Sequence, residues 1–216
     1  MLKALQAEYK ILAHIYDQKW AFYNNATVKQ AMAYVRKLPV PFAIDNVSNA
    51  KILDLGCGTG LLTQRLLEYF PTAQILGIDL SSAMLEIAQQ KLSSYQPRLT
   101  LEQKNAMDLD YPSQSFDLII CSSVWHYFTA PDIVLNHIYR LLKPQGYLII
   151  NDWCRDYFTC YLLDQYLHLT KRPHYHTYTQ TELHRLLTNH QFMVQDAMTY
   201  KINWFWGMMV TVATKS

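Results

Sequence analysis

Charge is scarce in this sequence and is concentrated nowhere. Asp, Glu, Lys and Arg together make up 17% of the 216 residues, and the formal net charge at pH 7 is only +2. The absence of any run of basic residues argues against a nucleic-acid partner. The sequence also lacks an apolar stretch of about 20 residues, which a membrane-spanning helix needs, and its N-terminus lacks the apolar core of a signal peptide. We therefore expect no nucleic-acid partner and no membrane span.

Cysteine is also scarce, and its spacing is not that of a disulfide framework. The four cysteines are Cys57, Cys121, Cys154 and Cys160. Reduced thiols fit a cytoplasmic protein, which is the location that we expect. Cys154 and Cys160 are not at a zinc-binding spacing, so we expect no metal. His174 and His176 leave three roles open, since they can be surface residues, substrate contacts or metal ligands.

Aromatic side chains, by contrast, are abundant. The chain has 16 Tyr and 5 Trp, and these cluster in the first 25 residues and beyond residue 150. The length is sufficient for one domain with a substantial core. Clustered aromatic residues favour an apolar or aromatic ligand over a phosphorylated one, which would require clusters of Arg or Lys.

The segment from Lys51 to Gly60 joins a short apolar run to three glycines at alternate positions. The apolar run predicts a buried strand, and the glycines permit a turn whose backbone a ligand can approach closely. A helical pattern follows from Leu61 to Tyr69, and a second apolar strand ends in Asp79. This order predicts a β-α-β unit with an acid at the tip of its second strand, where such units bind ribose hydroxyls.

The glycine spacing distinguishes between nucleoside ligands. A dinucleotide-binding turn has the pattern G-x-G-x-x-G, whereas this chain has G-x-G-x-G with Asp54 just before it. Asp54 can face a cationic group, which a dinucleotide does not offer at that point. Residues Ile52 to Gly60 resemble motif I of the class I S-adenosylmethionine (SAM) methyltransferases at every position. The resemblance implies that the chain binds SAM and releases S-adenosylhomocysteine (SAH).

The resemblance covers most of the core. Asp117-Leu-Ile-Ile and the Leu-Leu-Lys-Pro-Gln-Gly stretch ending at Gly146 are similar to the small-molecule branch typified by quinone-biosynthesis C-methyltransferases. Where that branch holds the adenine with an acid–Ala pair, this chain has Asn105-Ala106, whose amide oxygen can still accept from the adenine amino group. The residues expected at the cofactor are Tyr16, Asp54, Gly56, Cys57, Gly58, Gly60, Asp79, Leu80, Met84, Asn105, Ala106, Met107 and Cys121.

The alternation of strands and helices predicts an α/β fold with a doubly wound sheet. The resemblance implies a seven-stranded Rossmann-like sheet in the order 3-2-1-4-5-7-6, with strand 7 antiparallel. Residues 1–47 have helical periodicity and are expected to form an N-terminal helical cap. Residues 48–216 are expected to form the SAM-binding domain, with a lid insertion at about 153–178. Local patterns also predict helix caps at Ser81 and Thr179 and a fifth strand over Tyr147–Asn151.

His126 is the candidate base. It follows the predicted fourth strand, beside the expected position of the methyl group, and imidazole transfers protons readily near neutral pH. A histidine packed on the start of the next helix is the alternative. The residues expected at the substrate, each with core packing as its alternative, are Trp20, Tyr23, Trp125, His126, Trp153, Tyr157 and Tyr175. Tyr16, Trp20 and Tyr23 could instead cover the sulfonium by cation–π contact.

The function that these patterns favour is SAM-dependent methylation of a small, apolar or aromatic molecule. The alternative is a non-catalytic SAM-binding regulatory or partner subunit on the same fold, which fold alone does not exclude. Methylation of exocyclic amines is disfavoured, because the Cys-Ser-Ser-Val-Trp sequence ending at Trp125 replaces an Asn/Asp-Pro-Pro-aromatic motif. Oxygen, nitrogen, carbon and sulfur all remain open as the acceptor atom, and the oligomeric state is not predicted.

Overall fold

A computed structural model of the chain describes residues 2–39, 49–170 and 172–215. Within these residues, seven strands form one sheet in the order β3-β2-β1-β4-β5-β7-β6. β7 is antiparallel to both of its neighbours, whereas the other adjacent strands are parallel. The predicted doubly wound sheet and its order are therefore confirmed. The strands are β1 (Lys51–Leu55), β2 (Gln74–Asp79), β3 (Leu99–Gln103), β4 (Phe116–Ser122), β5 (Leu142–Trp153), β6 (Phe192–Lys201) and β7 (Gly207–Lys215).

Helices lie on both faces of the sheet, and two of them precede the first strand. The predicted domain boundary at residues 47 and 48 lies outside the described residues. No helix in the described part of the chain is long and apolar enough to cross a membrane. The helices are α1 (Leu2–Lys19), α2 (Ala21–Val35), α3 (Leu61–Tyr69), α4 (Ser82–Leu92), α5 (Pro131–Leu141), α6 (Phe158–Leu169) and α7 (Gln180–Asn189), with short 3₁₀ turns at Ser93–Tyr95 and Trp125–Tyr127.

Most side chains of the central strands are apolar, because successive side chains enter opposite helical layers. In β1, Ile52 packs with α2 and α3, whereas Leu53 and Leu55 pack with α5 and α7. All three side chains are fully buried. Because both faces of the sheet are occupied in this way, polar side chains collect at the carboxyl ends of the strands.

Two helices begin where the local patterns predict. The Ser81 hydroxyl accepts a hydrogen bond from the Met84 amide at the start of α4. Thr179 and Glu182 make both hydrogen bonds of a capping box at the start of α7. Each cap satisfies amide groups that the first turn of a helix leaves without partners.

The fifth strand is longer than the predicted Tyr147–Asn151. It begins at Leu142, where its register with β4 shifts, so that a bulge accommodates the Lys143-Pro-Gln-Gly146 segment. At its other end the pairing with β7 continues through Asp152 and Trp153. This extension places the carboxylate of Asp152 at the carboxyl ends of the strands, where open α/β sheets form their ligand sites.

Candidate active site

A cavity opens at the carboxyl ends of β1, β2 and β4, where an open α/β sheet binds its ligands. We call it the strand-end cavity. Most of the residues that the resemblance places at the cofactor line this cavity. They are Tyr16, Asp54, Gly56, Cys57, Gly58, Asp79, Leu80, Met84, Asn105, Ala106 and Met107.

The glycine loop after β1 adopts left-handed backbone angles at its first two glycines. Gly56 has φ +79°, and a Cβ atom there would lie 2.7 Å from the Val124 side chain. Gly58 has φ +53°, but a Cβ atom there would meet nothing within 4 Å. Gly56 is therefore required by close packing, whereas Gly58 leaves its backbone open to a ligand.

Two predicted cofactor residues, Gly60 and Cys121, do not line the cavity. Gly60 is the left-handed N-cap of α3, and a Cβ atom there would lie 2.7 Å from the Leu92 side chain, so this glycine allows α3 to pack against α4. Cys121 is fully buried in the layer between the sheet and α5, where burial raises the pKa of its thiol. Both residues serve packing beside the cavity, which corrects the prediction.

The two acids of the β-α-β unit are buried and hydrogen-bonded. Asp54 accepts a hydrogen bond from the Thr63 hydroxyl at 2.6 Å, and burial raises its pKa to about 7. Asp79 accepts from the amides of Gly58 at 2.9 Å and Ser81 at 2.8 Å, and burial also raises its pKa. A carboxylate oxygen retains a further lone pair after one such bond, so both acids can still bind a ligand. A cation entering this cavity would favour the ionised form of Asp54.

Asn105 occupies the position of the family's adenine-binding acid. Its side-chain oxygen accepts a hydrogen bond from the Met107 amide at 3.0 Å, which fixes the direction of the carboxamide. An amide oxygen has two lone pairs. The oxygen can therefore accept a second hydrogen bond, and binding of the adenine amino group there stays a prediction.

α1 closes one side of the strand-end cavity and is held there by side-chain contacts. The Gln6 amide donates to the Leu80 carbonyl at 3.0 Å. Asp17 accepts a hydrogen bond from the Thr59 hydroxyl at 2.5 Å and forms an ion pair with Lys91 of α4. α1 is thus connected once each to the turn after β2, to the glycine loop and to α4.

A second cavity adjoins the first. We call it the aromatic cavity, and its wall is formed by α1, the Trp125–Tyr127 turn, the end of β5, α6 and the segments 172–174 and 205–206. Four residues line both cavities and so form the wall between them. They are Tyr9, Tyr16, Ser123 and Tyr127.

The predicted substrate residues divide into two groups. Those that line the aromatic cavity are Trp20, Tyr23, His126 and Trp153. The other three do not, which corrects the prediction. Trp125 is fully buried and packs edge-on against Phe128. Tyr157 lies against Gly207, where a Cβ atom would collide with its ring, and Tyr175 is 40% exposed. An aromatic residue near a site serves core packing as readily as ligand contact.

His126 is buried and held by a carboxylate. Its Nδ1 lies 2.7 Å from Asp152, and Asp152 also accepts from the amides of Trp125 and Trp153, each at 2.6 Å. The imidazole stacks on Trp153, with ring centroids 4.0 Å apart. A carboxylate beside Nδ1 selects the tautomer that donates Nδ1–H. Nε2 then carries a lone pair, and it has no hydrogen-bond partner among the described residues.

A second histidine of the same wall has a similar arrangement. His174 Nε2 lies 2.7 Å from Asp164, which also accepts from the Thr177 amide at 2.8 Å. Burial lowers the pKa of His174, although Asp164 acts in the opposite direction, while these hydrogen bonds lower the pKa of Asp164 to about 2 despite its burial. Both shifts describe a neutral imidazole donating to a charged carboxylate. The Tyr175 amide donates to the His126 carbonyl at 2.9 Å and fixes this segment beside the first pair.

Sequence patterns did not indicate Asp152 or Asp164. Each pairs with a histidine 26 or 10 residues away, and neither forms a local motif. Asp164, His168 and His174 are close enough to one another for metal ligation. However, the 2.7 Å contact between His174 and Asp164 is a hydrogen bond, and His168 is 45% exposed and lies 2.8 Å from the Asp164 carbonyl through its Nδ1. Hydrogen bonding accounts for this cluster, and the absence of a metal stays a prediction.

The strand order, the glycine loop and the two acids define a class I SAM-dependent methyltransferase. A family model described as a methyltransferase domain matches residues 46–207. The chain belongs to this family, and the predicted family, enzyme class and cofactor are confirmed.

Several known proteins resemble the chain. It is 34% identical over 139 residues to a malonyl-[acyl-carrier protein] O-methyltransferase of Priestia megaterium, covering 62% of this chain and 50% of that protein. It is 37% identical over 101 residues to a demethylmenaquinone methyltransferase of Symbiobacterium thermophilum, covering 45% and 40%. The chain thus spans half or less of these relatives' length. The crystal structure of a SAM-dependent methyltransferase of Thermotoga maritima shares the fold, with a TM-score of 0.74, 18% identity, and coverage of 98% of this chain and 99% of that one.

We predict that Asp79→Ala weakens SAH binding by about 1–3 kcal/mol, because it removes an acceptor for the ribose and two bonds that shape the loop. Isothermal titration calorimetry with SAH measures the change. Asp108→Ala is the matched control, since Asp108 is exposed on the same edge of the sheet and does not line the cavity. Equal affinity in the Asp79 variant and the control would contradict a role for Asp79 at the nucleoside.

We also predict that the helical cap and the expected lid act as mobile covers. Residues 2–25 and 153–178 should exchange their amide hydrogens more slowly when SAH is bound, as covers generally do. Lys91→Ala should speed exchange in α1 without ligand, because it removes the ion pair with Asp17. Hydrogen exchange with mass spectrometry measures both effects.

Lys10→Ala is the control for the cap, since Lys10 is an exposed residue of the same helix. The control should exchange like the wild-type protein. Identical protection of residues 2–25 with and without SAH would show that α1 is a fixed part of the scaffold.

Proposed function

We propose that this chain transfers a methyl group from SAM to a small apolar or aromatic acceptor. The observation that carries the proposal is the common wall of the two cavities. The strand-end cavity has the open glycine backbone and the acids Asp54 and Asp79, which suit a nucleoside with a cationic substituent. The aromatic cavity has a histidine with a free ring nitrogen. A methyl group donated through the common wall would enter the second cavity.

SAM supplies an electrophilic methyl on a sulfonium. As the acceptor bonds to the methyl carbon, the carbon–sulfur bond breaks and its electron pair neutralises the sulfur. The protein has to align the reactants and exclude water, and alignment alone can remove several kcal/mol of barrier. The tyrosines of the common wall suit this task, because burial raises the pKa values of Tyr9, Tyr16 and Tyr127 and keeps them neutral. A neutral ring against a desolvated sulfonium contributes about 2 kcal/mol.

His126 is positioned to remove a proton from the acceptor. Its Nε2 lone pair accepts the proton, and Asp152 stabilises the resulting imidazolium through Nδ1–H. The two amides that donate to Asp152 fix the direction of the carboxylate. A hydroxyl or a carbon acid requires this base, whereas a thiolate or a free amine does not.

The lining of the aromatic cavity supports an apolar or aromatic acceptor. The cavity has a volume of about 330 Å³, and small-molecule sites of this size are largely apolar. Arg172 is the only Lys or Arg among the described residues of its wall, which disfavours a phosphorylated acceptor. The names of the two relatives also support a small-molecule substrate. The apolar residues of the wall include Leu12, Trp20, Trp153, Leu163, Leu167 and Trp206.

The competing function is a non-catalytic SAM-binding regulatory or partner subunit. Such a subunit needs the strand-end cavity but gives no role to His126 or Asp152. Turnover therefore separates the two functions. A cytoplasmic location and the absence of a nucleic-acid partner stay predictions from composition.

We predict that His126→Asn lowers kcat by about 10²–10⁴-fold on a phenol or carbon-acid acceptor, the usual contribution of a general base. Asn can still donate to Asp152 from the position of Nδ1, so the change mainly removes the Nε2 lone pair. SAH affinity should be unchanged, because His126 lines the aromatic cavity alone. Transfer of labelled methyl from SAM to a panel of phenols and carbon acids measures kcat.

His14→Asn is the matched control, since His14 is exposed on α1 and lines neither cavity. The control should retain wild-type turnover. Normal turnover of the His126 variant on a phenol would remove this residue from the mechanism. A wild-type protein that binds SAH but methylates no member of the panel would favour the partner subunit.

A further inference from the structure

The aromatic cavity is lined by two histidines, and each is held by an aspartate through a different ring nitrogen. His126 is held through Nδ1 by Asp152, and His174 is held through Nε2 by Asp164. In each pair the nitrogen beside the carboxylate carries the proton, because a carboxylate only accepts. In the neutral form of each ring, the nitrogens left over, Nε2 of His126 and Nδ1 of His174, are both hydrogen-bond acceptors.

Neither acceptor nitrogen is satisfied by the part of the chain that the structure describes. Both are buried, and neither has a hydrogen-bond partner among the described residues. The neighbouring indole N–H of Trp153 is already committed, since it donates to the Tyr23 hydroxyl at 2.8 Å. A buried acceptor without a partner is costly, so two of them in one wall require an explanation.

The two imidazoles are close enough to contact one small molecule. Their ring centroids lie 5.7 Å apart. Both rings are also nearly parallel to the indole of Trp153, with interplanar angles of 9° for His126 and 25° for His174. The wall therefore combines aromatic faces with two imidazole rings, each of which has one ring nitrogen without a partner among the described residues.

The segment 172–178 is fixed by hydrogen bonds that do not involve the His174 side chain. Asp164 already holds the segment through the Thr177 amide, and the Tyr175 and His176 amides hold it through the His126 carbonyl. A structural role would also leave Nδ1 without a partner. A ligand that donates a hydrogen bond accounts for the free nitrogen as well as for the anchoring by Asp164.

We infer that the acceptor carries two hydrogen-bond donors, O–H or N–H, on a flat apolar frame. One donor binds Nε2 of His126 and is the group that loses its proton in the reaction. The other binds Nδ1 of His174 and keeps its proton, so His174 selects acceptors that have a second donor. This inference rests on the proposed function, because it concerns the acceptor of the same methyl transfer.

The test compares flat probes that differ only in the number of donors. The probes are 1-naphthol, with one hydroxyl, and the isomeric dihydroxynaphthalenes, whose second hydroxyl lies at different separations. Calorimetry measures their binding with and without SAH. In the wild-type protein at least one isomer should bind about three- to tenfold more tightly than 1-naphthol, the effect of one further hydrogen bond.

His174→Gln is the informative variant. The Gln amide can donate to Asp164 from the position of Nε2, so the anchoring is retained while the Nδ1 lone pair is lost. The preference for the dihydroxy probe should fall to within about twofold, with 1-naphthol binding unchanged. His168→Gln is the matched control, since His168 also borders Asp164 but does not line the cavity, and it should retain the preference.

Nitrogen-15 NMR of the imidazole rings gives a second readout that needs no variant. His174 should be the Nε2–H tautomer, and its Nδ1 resonance should move when the preferred dihydroxynaphthalene binds. A Nδ1–H tautomer at His174, no isomer preferred over 1-naphthol, or an undiminished preference in His174→Gln would each overturn the inference. Failure to bind SAH would instead contradict the proposed function, since probe binding is also measured without it.

Discussion

The hydrogen bonds accepted by Asp79 connect the parts of the strand-end cavity. One carboxylate oxygen accepts from Gly58 and the other from Ser81, so the end of β2 fixes both the glycine loop after β1 and the start of α4. The Gly56 amide donates to the Ile78 carbonyl at 2.8 Å and sets the beginning of the same loop. An irregular loop lacks the regular backbone hydrogen bonds that specify the shape of a strand or a helix. The bonds to Asp79 and Ile78 specify the shape of this loop instead. The acid that suits a ribose is therefore also the residue that builds the loop around it.

The aromatic cavity repeats this arrangement with two other carboxylates. Asp152 accepts from the backbone amides of Trp125 and Trp153 and from His126, and Asp164 accepts from Thr177 and from His174. A buried carboxylate is costly unless hydrogen bonds compensate for the lost water. Each acid here has several such bonds, and each uses one of them to set the tautomer of a histidine. Structural anchoring and the chemistry of the wall thus depend on the same side chains.

Local patterns in the sequence predicted those parts of the site that neighbouring residues build. The glycine loop, Asp54 and Asp79 lie within one β-α-β unit, and the caps at Ser81 and Thr179 act over three residues, so spacing alone revealed them. Asp152 and Asp164 were missed because their partners come from distant segments that only the folded chain brings together.

Aromatic residues were ambiguous for another reason. Trp125 lies just beyond the end of β4 and Trp153 is the last residue of the neighbouring parallel strand β5, yet the first is in the core and the second lines the cavity. The lengthened β5 depends on pairing with β4 at its start and with β7 at its end, which no local pattern encodes.

The two cavities differ in how far family membership determines them. The strand-end cavity is formed mainly within residues 46–207, the range that the family model matches, and only α1 and α2 add residues from outside it. The aromatic cavity draws a larger part of its wall from α1 and its neighbours, including Glu8, Leu12 and Trp20, which precede that range. Its remaining wall comes from Ser123, the Trp125–Tyr127 turn, the end of β5, α6 and the segments 172–174 and 205–206, and each of its two histidines is held by a buried aspartate. Family membership therefore indicates the methyl donor, whereas the proposed acceptor depends on the side chains that line the second cavity. Because the names of the two relatives refer to different substrates, the contacts of His126 and His174 are a more direct guide to the acceptor than those names.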